Sequence, residues 1–191
     1  MNTNGTYLKE HINEIDGLFD FIDISRHSID DSVNRNIFGA DVPTIEELKT
    51  IKRWLKHTKV RIQCVMYDID SISKFIEFVD AFSFADDVSF RRLMKLPDKY
   101  GVDYDNNDKL YTEILDYAYK HFEFVEQTIQ DYYVYEIWSY NGMNITFSYS
   151  NMDMLSKVEQ NEPCNVCREF IIHPNSVVSG SWDFNNKVIC K

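Results

Sequence analysis

Phe21-Ile22-Asp23-Ile24-Ser25-Arg26-His27-Ser28, together with Thr3-Asn4-Gly5 upstream of it, is the stretch on which the reading of the fold turns. The longer segment has the β-branched and aromatic content of a strand. It ends in a cluster of polar side chains able to hydrogen-bond. Thr3-Asn4-Gly5 sits almost at Met1 and reads as the tail of a strand whose body is missing. Together the two stretches predict the later part of a βα-repeat barrel without its front.

The chain downstream alternates in the same way. Residues 7–15 read as a short helix stopped near Gly17, and residues 19–25 as a strand. Residues 44–57 form the clearest helix. Pro43 precedes it, and Thr44-Ile45-Glu46-Glu47 is a capping box, in which Thr44 bonds the amide three residues on and Glu47 reaches back. Ile45, Leu48, Ile51 and Leu55 then share one face. Residues 60–66 read as a second strand. A helix capped by Asp70 or Ser71 follows, burying Ile72, Phe75, Ile76 and Val79, and residues 88–93 read as a third strand ended by Pro97. Strands alternating with amphipathic helices give parallel βαβ units, all curling one way under the right-handed crossover rule.

The style changes after Pro97. A polar connector over 98–108 leads to a helix over 110–122, and two strands flank Asn141-Gly142, the strongest short hairpin signal. Residues 170–172, 177–178 and 187–189 are candidates for further short strands. The expected fold class is therefore α/β. Residues 1–97 form a partial, incomplete TIM-type βα barrel, and residues 98–191 form a small C-terminal α+β lobe.

Composition sets outer bounds. The 191 residues are 44% hydrophobic, enough for one substantial core. A formal net charge of -11 argues against a generic nucleic-acid surface, because phosphate contact needs a basic face. The basic residues Lys49, Lys52, Arg53, Arg91 and Arg92 read as solvated helix and loop charge. No apolar run approaches the roughly 20 residues of a membrane span, and no signal-peptide pattern opens the chain. The expectation is a soluble, cytoplasmic protein that engages no membrane.

The strand-end motifs resemble the radical S-adenosylmethionine (SAM) superfamily, and most closely its molybdenum-cofactor-biosynthesis-like branch. In that family the third strand commonly ends in Thr-Asn-Gly, as Thr3-Asn4-Gly5 does here. The fourth ends in a Ser-containing stretch followed by Asp and a helix, as in Ile24-Ser25-Arg26-His27-Ser28 and then Asp30-Asp31. The fifth ends in a basic-apolar-amide pattern, matched by Arg61-Ile62-Gln63, and the sixth is loosely matched by Leu93-Met94-Lys95-Leu96-Pro97. The resemblance spans about residues 1–97. It implies a barrel with SAM across the C-terminal strand ends. Thr3 and Ser25 would face its methionine and ribose, Arg61 and Gln63 its carboxylate and ribose, and Met94 or Leu96 its adenine. His27 has no counterpart to carry over, and capping local backbone is at least as natural a role for it.

One departure is severe. The family's defining Cys-x-x-x-Cys-x-x-Cys loop, whose thiolates hold the iron–sulfur cluster that chelates SAM, does not occur in the sequence. Neither does the Gly-Gly-Glu type motif of the second strand. The resemblance therefore implies a truncated or split form of an iron–sulfur/SAM enzyme that is not catalytic on its own. It would use SAM only if the N-terminal part is supplied. Two alternatives stand beside it: a non-catalytic interaction module, and a small metal-binding protein using Cys164 and Cys167.

Cys164-Asn165-Val166-Cys167 has the spacing of a metal clip. The family branch carries an auxiliary cluster on such a pair and a later cysteine, which here would be Cys190. The reading is either that cluster, or zinc with His173 as a further ligand, or a reduced pair that remains from such a site, or packing thiols. Cys64, in mid-strand, reads as a buried small hydrophobe. One of Arg91 and Arg92 is expected to point inward, toward a ligand or toward Asp86 or Asp87. The aromatics from Tyr132 to Trp138 read as core rather than a base-stacking platform. Half a barrel also exposes the open edge of the strand over 19–25, so self-association or a partner chain is expected at that edge.

Overall fold

A computed structural model describes residues 1–92, 104–130 and 133–150, together with short strands at 171–172, 178–179 and 188–190. The chain divides into two compact units, Met1–Asn151 and Met152–Lys191. The first contains β1 (Asn2–Thr3), α1 (Ile12–Ile15), β2 (Phe21–Ser25), α2 (Asp31–Phe38), α3 (Ile45–Trp54), β3 (Lys59–Val65), α4 (Ile72–Ala81) and β4 (Asp87–Arg91). It continues through α5 (Tyr104–His121), β5 (Glu123–Gln130), β6 (Tyr133–Tyr140) and β7 (Met143–Ser150). The second unit contains β8 (Ile171–Ile172), β9 (Val178–Ser179) and β10 (Val188–Cys190), an antiparallel three-stranded sheet.

The first unit is a mixed α/β structure built on one seven-stranded sheet, in the order β1-β2-β3-β4-β7-β6-β5. The strands β1 to β4 are parallel and lie side by side in chain order. Right-handed crossovers between strands in that order place every connecting helix on the same side of the sheet. The register agrees. Ile22 pairs with Val60, Ile24 with Ile62, Ile62 with Val88, and Cys64 with Phe90, so these side chains share one face. All six strand positions Ile22, Ile24, Val60, Ile62, Val88 and Phe90 are buried in a core with Leu48 and Ile51 of α3, Phe75 and Phe78 of α4, and Tyr111 and Ile114 of α5. Each such side chain withdrawn from water contributes about 2 kcal/mol before entropy is counted.

Local sequence explains most element ends. Thr44 Oγ1 accepts from the Glu47 amide at 3.3 Å while Glu47 Oε2 accepts from the Thr44 amide at 2.9 Å, the expected capping box. Ser71, not Asp70, caps α4. Asp70 instead binds Lys74 one turn on. Asp16 accepts from the amides of Lys56, His57 and Thr58 and so fixes the entry into β3. Those bonds hold its carboxyl below the usual range, the Lys56 amide most strongly. At the hairpin, Asn141 and Gly142 both have positive φ, 51° and 81°, as a two-residue turn of this hand requires.

The sheet does not stop where the sequence changes style. Strand β7 pairs in parallel with β4, Phe147 opposite Phe90, and the β6–β7 hairpin and β5 extend the same sheet. The boundary expected at 97/98 therefore does not coincide with the division of the chain, which falls at Asn151 and Met152. Strand β5 and helix α2 are elements that periodicity did not signal. Every residue of β5 is exposed, so no alternation marks it, and the only fully buried residue of α2 is the polar Asn34.

Candidate functional site

The side of the sheet opposite the helices is polar. In register across it lie Asp23, Arg61, Asp87 and Asn144, and one step further along the strands Ser25, Gln63, Ser89 and Thr146. These rows exist because β2, β3 and β4 each alternate an apolar side chain toward the helices with a polar one away from them. Three of the expected ligand residues, Ser25, Arg61 and Gln63, are brought together here. Thr3 is not. It pairs with Ile24, on the helix side, and its Oγ1 accepts from the Gly5 amide at 3.0 Å. Thr3-Asn4-Gly5 acts as a turn, with Gly5 at φ +89° and a Cβ there meeting Pro43 Cγ at 2.9 Å. Met94 and Leu96 lie outside the described residues.

A charge network forms the centre of the polar face. Arg61 lies between two carboxylates, its Nη1 3.4 Å from Asp23 Oδ1 and its Nε 3.2 Å from Asp87 Oδ2. The guanidinium also covers the Phe21 ring at 4.4 Å. Asp87 is 2% exposed, and Thr146 Oγ1 donates to its Oδ2 at 2.9 Å. Its Oδ1 meets no hydrogen-bond donor among the described residues. Burial pushes the Asp87 carboxyl up, and Arg61 and Thr146 offset this only in part. With both carboxylates ionised the network carries one net negative charge, suited to a cationic group rather than to a second anion. Ser89, Thr146 and Ser148 are also buried, at 4% each, so the polar face is not simply a solvated surface.

At the C-terminal end of β2 the segment after Ser25 folds back on itself. Arg26 is completely buried. Its Nη1 donates to Pro43 O at 2.8 Å, its Nη2 pairs with Asp31, and its amide donates to Gln63 O at 2.9 Å. Burial lowers the guanidinium pKa, and Asp31 offsets this only in part. His27 Nδ1 accepts from the Val65 amide at 3.1 Å. It caps backbone, and burial first and Arg26 second depress its pKa. Asn34 closes the loop by accepting from the amides of His27 and Ser28 and donating to the carbonyls of Ser28 and Asp30. Ser28 Oγ donates to Asp68 Oδ2 at 2.5 Å, joining this loop to the one after β3.

Of the two readings for the inward arginine, the ion pair of Arg91 or Arg92 with Asp86 or Asp87 is not found among the described residues. Arg92 pairs with Asp108 and lies over the Tyr111 ring at 5.9 Å. Asp86 instead accepts from Lys52 Nζ at 2.5 Å and from the Val60 amide at 2.7 Å, and Asp87 belongs to Arg61. Arg91 is exposed. Sequence reasoning did not single out Asp23, Ser89 or Thr146, and it weighed Asp87 only as a partner for Arg91 or Arg92. Their signal was the recurrence of a polar pair two residues apart in four strands: Asp23/Ser25, Arg61/Gln63, Asp87/Ser89 and Asn144/Thr146.

The described residues do not fit the cluster of a radical SAM enzyme. Among them no three His, Cys, Asp or Glu side chains are grouped as metal ligands. The Cys64 thiol is fully buried, and burial drives its pKa far above the ordinary value, so it stays protonated and is no thiolate ligand. Cys164 and Cys167 lie outside the described residues, and Cys190 is placed by its backbone on β10, opposite Val178 of β9. No helix among the described residues is long and apolar enough to cross a membrane. Compared with protein-family models, with curated proteins and with solved structures, the chain matches none.

Proposed function

We propose that the chain is a radical SAM-like partial βα barrel, working in the cytoplasm, whose polar sheet face contributes one wall of a SAM-binding cavity and which does not cleave SAM on its own. The observation that carries this reading is the single polar face across β2, β3 and β4 opposite a one-sided layer of helices. Chain-ordered parallel strands with their helices on one side are the arrangement of a stretch of barrel wall, and polar side chains toward the C-terminal strand ends stand where such barrels bind ligands. Ser25 and Gln63 stand on that face near the C-terminal strand ends, where barrel ligands bind. Arg61, held between Asp23 and Asp87, sets the charge of the face, and the net negative network suits the sulfonium and ammonium of SAM. By the same resemblance, Met94 or Leu96 would stand near the adenine.

The wall accounts for binding and positioning only. Reductive cleavage of SAM consumes an electron, and no Cys-x-x-x-Cys-x-x-Cys loop is present to hold the cluster that delivers it. Such a cluster would come from a partner polypeptide at the β1 edge. There β1 covers only Asp23 and Ile24 of β2, and Met1, Leu18 and Phe19 remain exposed at 39%, 69% and 38% beside it.

Cys164, Cys167 and Cys190 are proposed to hold an auxiliary iron–sulfur cluster, with zinc as the alternative occupant. After anaerobic reconstitution with iron and sulfide, the expected result is stoichiometric iron with a broad visible charge-transfer band, both lost in Cys164→Ala/Cys167→Ala. Zinc retained through purification and lost in the same variant would assign a zinc site. Colourless, metal-free wild type would remove the metal from the account. The same sample incubated with dithionite and SAM is expected to give no 5′-deoxyadenosine, and formation of that product would overturn the non-catalytic reading.

A further inference from the structure

We propose that β5 is a self-association edge at which a second copy of this chain adds its own β5, antiparallel, to make one sheet running through both copies. The strand β5 is the last in the sheet order, at the end opposite β1. All eight of its residues are exposed, and Phe124, Val125 and Ile129 present apolar surface at 50%, 51% and 55%. Its inner edge pairs with β6, and among the described residues no strand pairs with its outer edge, which leaves a row of backbone donors and acceptors for another strand.

The register of β5 admits a second copy. A bulge between Phe124 and Glu126 takes Val125 out of the alternation. From Glu126 to Gln130 pairing with β6 is regular. Gln127 and Ile129 stand beside Glu136 and Val134 on the helix side, and Glu126, Thr128 and Gln130 beside Ile137, Tyr135 and Tyr133 on the other. A twofold axis through Thr128 pairs Gln127 with Ile129 and Glu126 with Gln130 of the second copy. Every pair then joins side chains of the same face, with no like charges opposed. A register centred on Glu126 would set that carboxylate against itself. The regular segment carries one charge and has neither the Lys nor the Pro with which exposed edges are usually guarded. The short outer edge of β1, by contrast, offers two residues.

Charge distinguishes a second copy from a basic partner strand. Each copy has a net charge of -11, so self-association works against repulsion and tightens as salt screens it, whereas a basic partner would bind more weakly in salt. Sedimentation over a concentration series at low and high salt, with the full chain, is the test. The expected result is a monomer–dimer equilibrium that tightens with salt, and that Ile129→Lys weakens by roughly tenfold or more. Thermal unfolding of Ile129→Lys controls for folding, since the site is exposed. Thr128→Lys is a second variant with the same expectation. A monomer at every concentration and salt would overturn the proposal. So would a dimer indifferent to both substitutions, or one that weakens as salt rises.

Discussion

Replacing Arg26 by alanine is expected to destabilise the protein by about 3 to 5 kcal/mol, the range found when one partner of a buried pair is removed. Arg26 is fully buried and joins three parts of the chain. It reaches the Pro43 carbonyl before α3 and Asp31 at the first turn of α2, and its own amide bonds to Gln63 on β3. Its loss strands Asp31, orphans a carbonyl and leaves a cavity the size of a large side chain. Lysine would not rescue, because one ammonium cannot span two acceptors in the planar geometry of a guanidinium. Chemical denaturation of Arg26→Ala and Arg26→Lys checks this. An unfolding midpoint within error of wild type for Arg26→Ala would show that its contacts to Pro43 and Asp31 do not stabilise the fold.

Arg61→Ala is expected to cost about 3 kcal/mol, at the lower end of the range for buried pairs because the guanidinium is partly exposed. The loss comes mainly from Asp87, left buried without its cation, and Asp23 adds like charge beside it. The double variant Arg61→Ala/Asp87→Asn should recover most of that stability, which isolates the coupling. The pH dependence has a definite sign. The folded pKa of Asp87 is raised above its ordinary value by burial. Its contribution to stability is therefore fully present below the unfolded pKa of about 4 and is lost as pH rises through the folded pKa. Asp87→Asn alone should thus gain on wild type as pH rises over that window, read from unfolding midpoints across the acid range. A gain that shrinks with rising pH would mean that Arg61 outweighs burial.

Local chemistry made several elements readable before the structure. Thr44 and Glu47 announce the start of α3 because a capping box uses only neighbouring atoms. Asn141-Gly142 announces the hairpin because few residues tolerate two positive φ angles. The core of β2, β3 and β4 was legible for a similar reason, since Ile22, Ile62 and Phe90 alternate with polar neighbours. What escaped depends on distance or on exposure. That β7 pairs with β4 is a contact across more than fifty residues, invisible to any local pattern, and it moves the break in the fold from Pro97 to Asn151. Strand β5 has both faces wet and so no burial period to detect.

The candidate site was legible in part for the same reasons. Ser25, Arg61 and Gln63 were singled out by their motifs, and parallel register brings them to one face. Asp87 was one alternative partner for the arginines near it in sequence, yet its partner is Arg61 on the adjacent strand. Which carboxylate meets which guanidinium is decided by strand register, and register is a tertiary property. His27 shows the limit from the other side. A histidine at a strand end invites a catalytic role, and here its Nδ1 serves the Val65 amide.

The account's central claim is that the polar face of β2, β3 and β4 is the ligand side of a SAM-binding wall. The most direct measurement is a titration of the isotopically labelled full chain with SAM, followed by backbone amide shifts. Wild type is compared with Ser25→Ala/Gln63→Ala, and S-adenosylhomocysteine serves as the ligand without the sulfonium charge. The account predicts weak, saturable shifts concentrated at Ser25, Arg61, Gln63 and Ser89, smaller with S-adenosylhomocysteine and reduced in the double variant. Shifts confined to other surfaces, or none at saturating SAM, would contradict it.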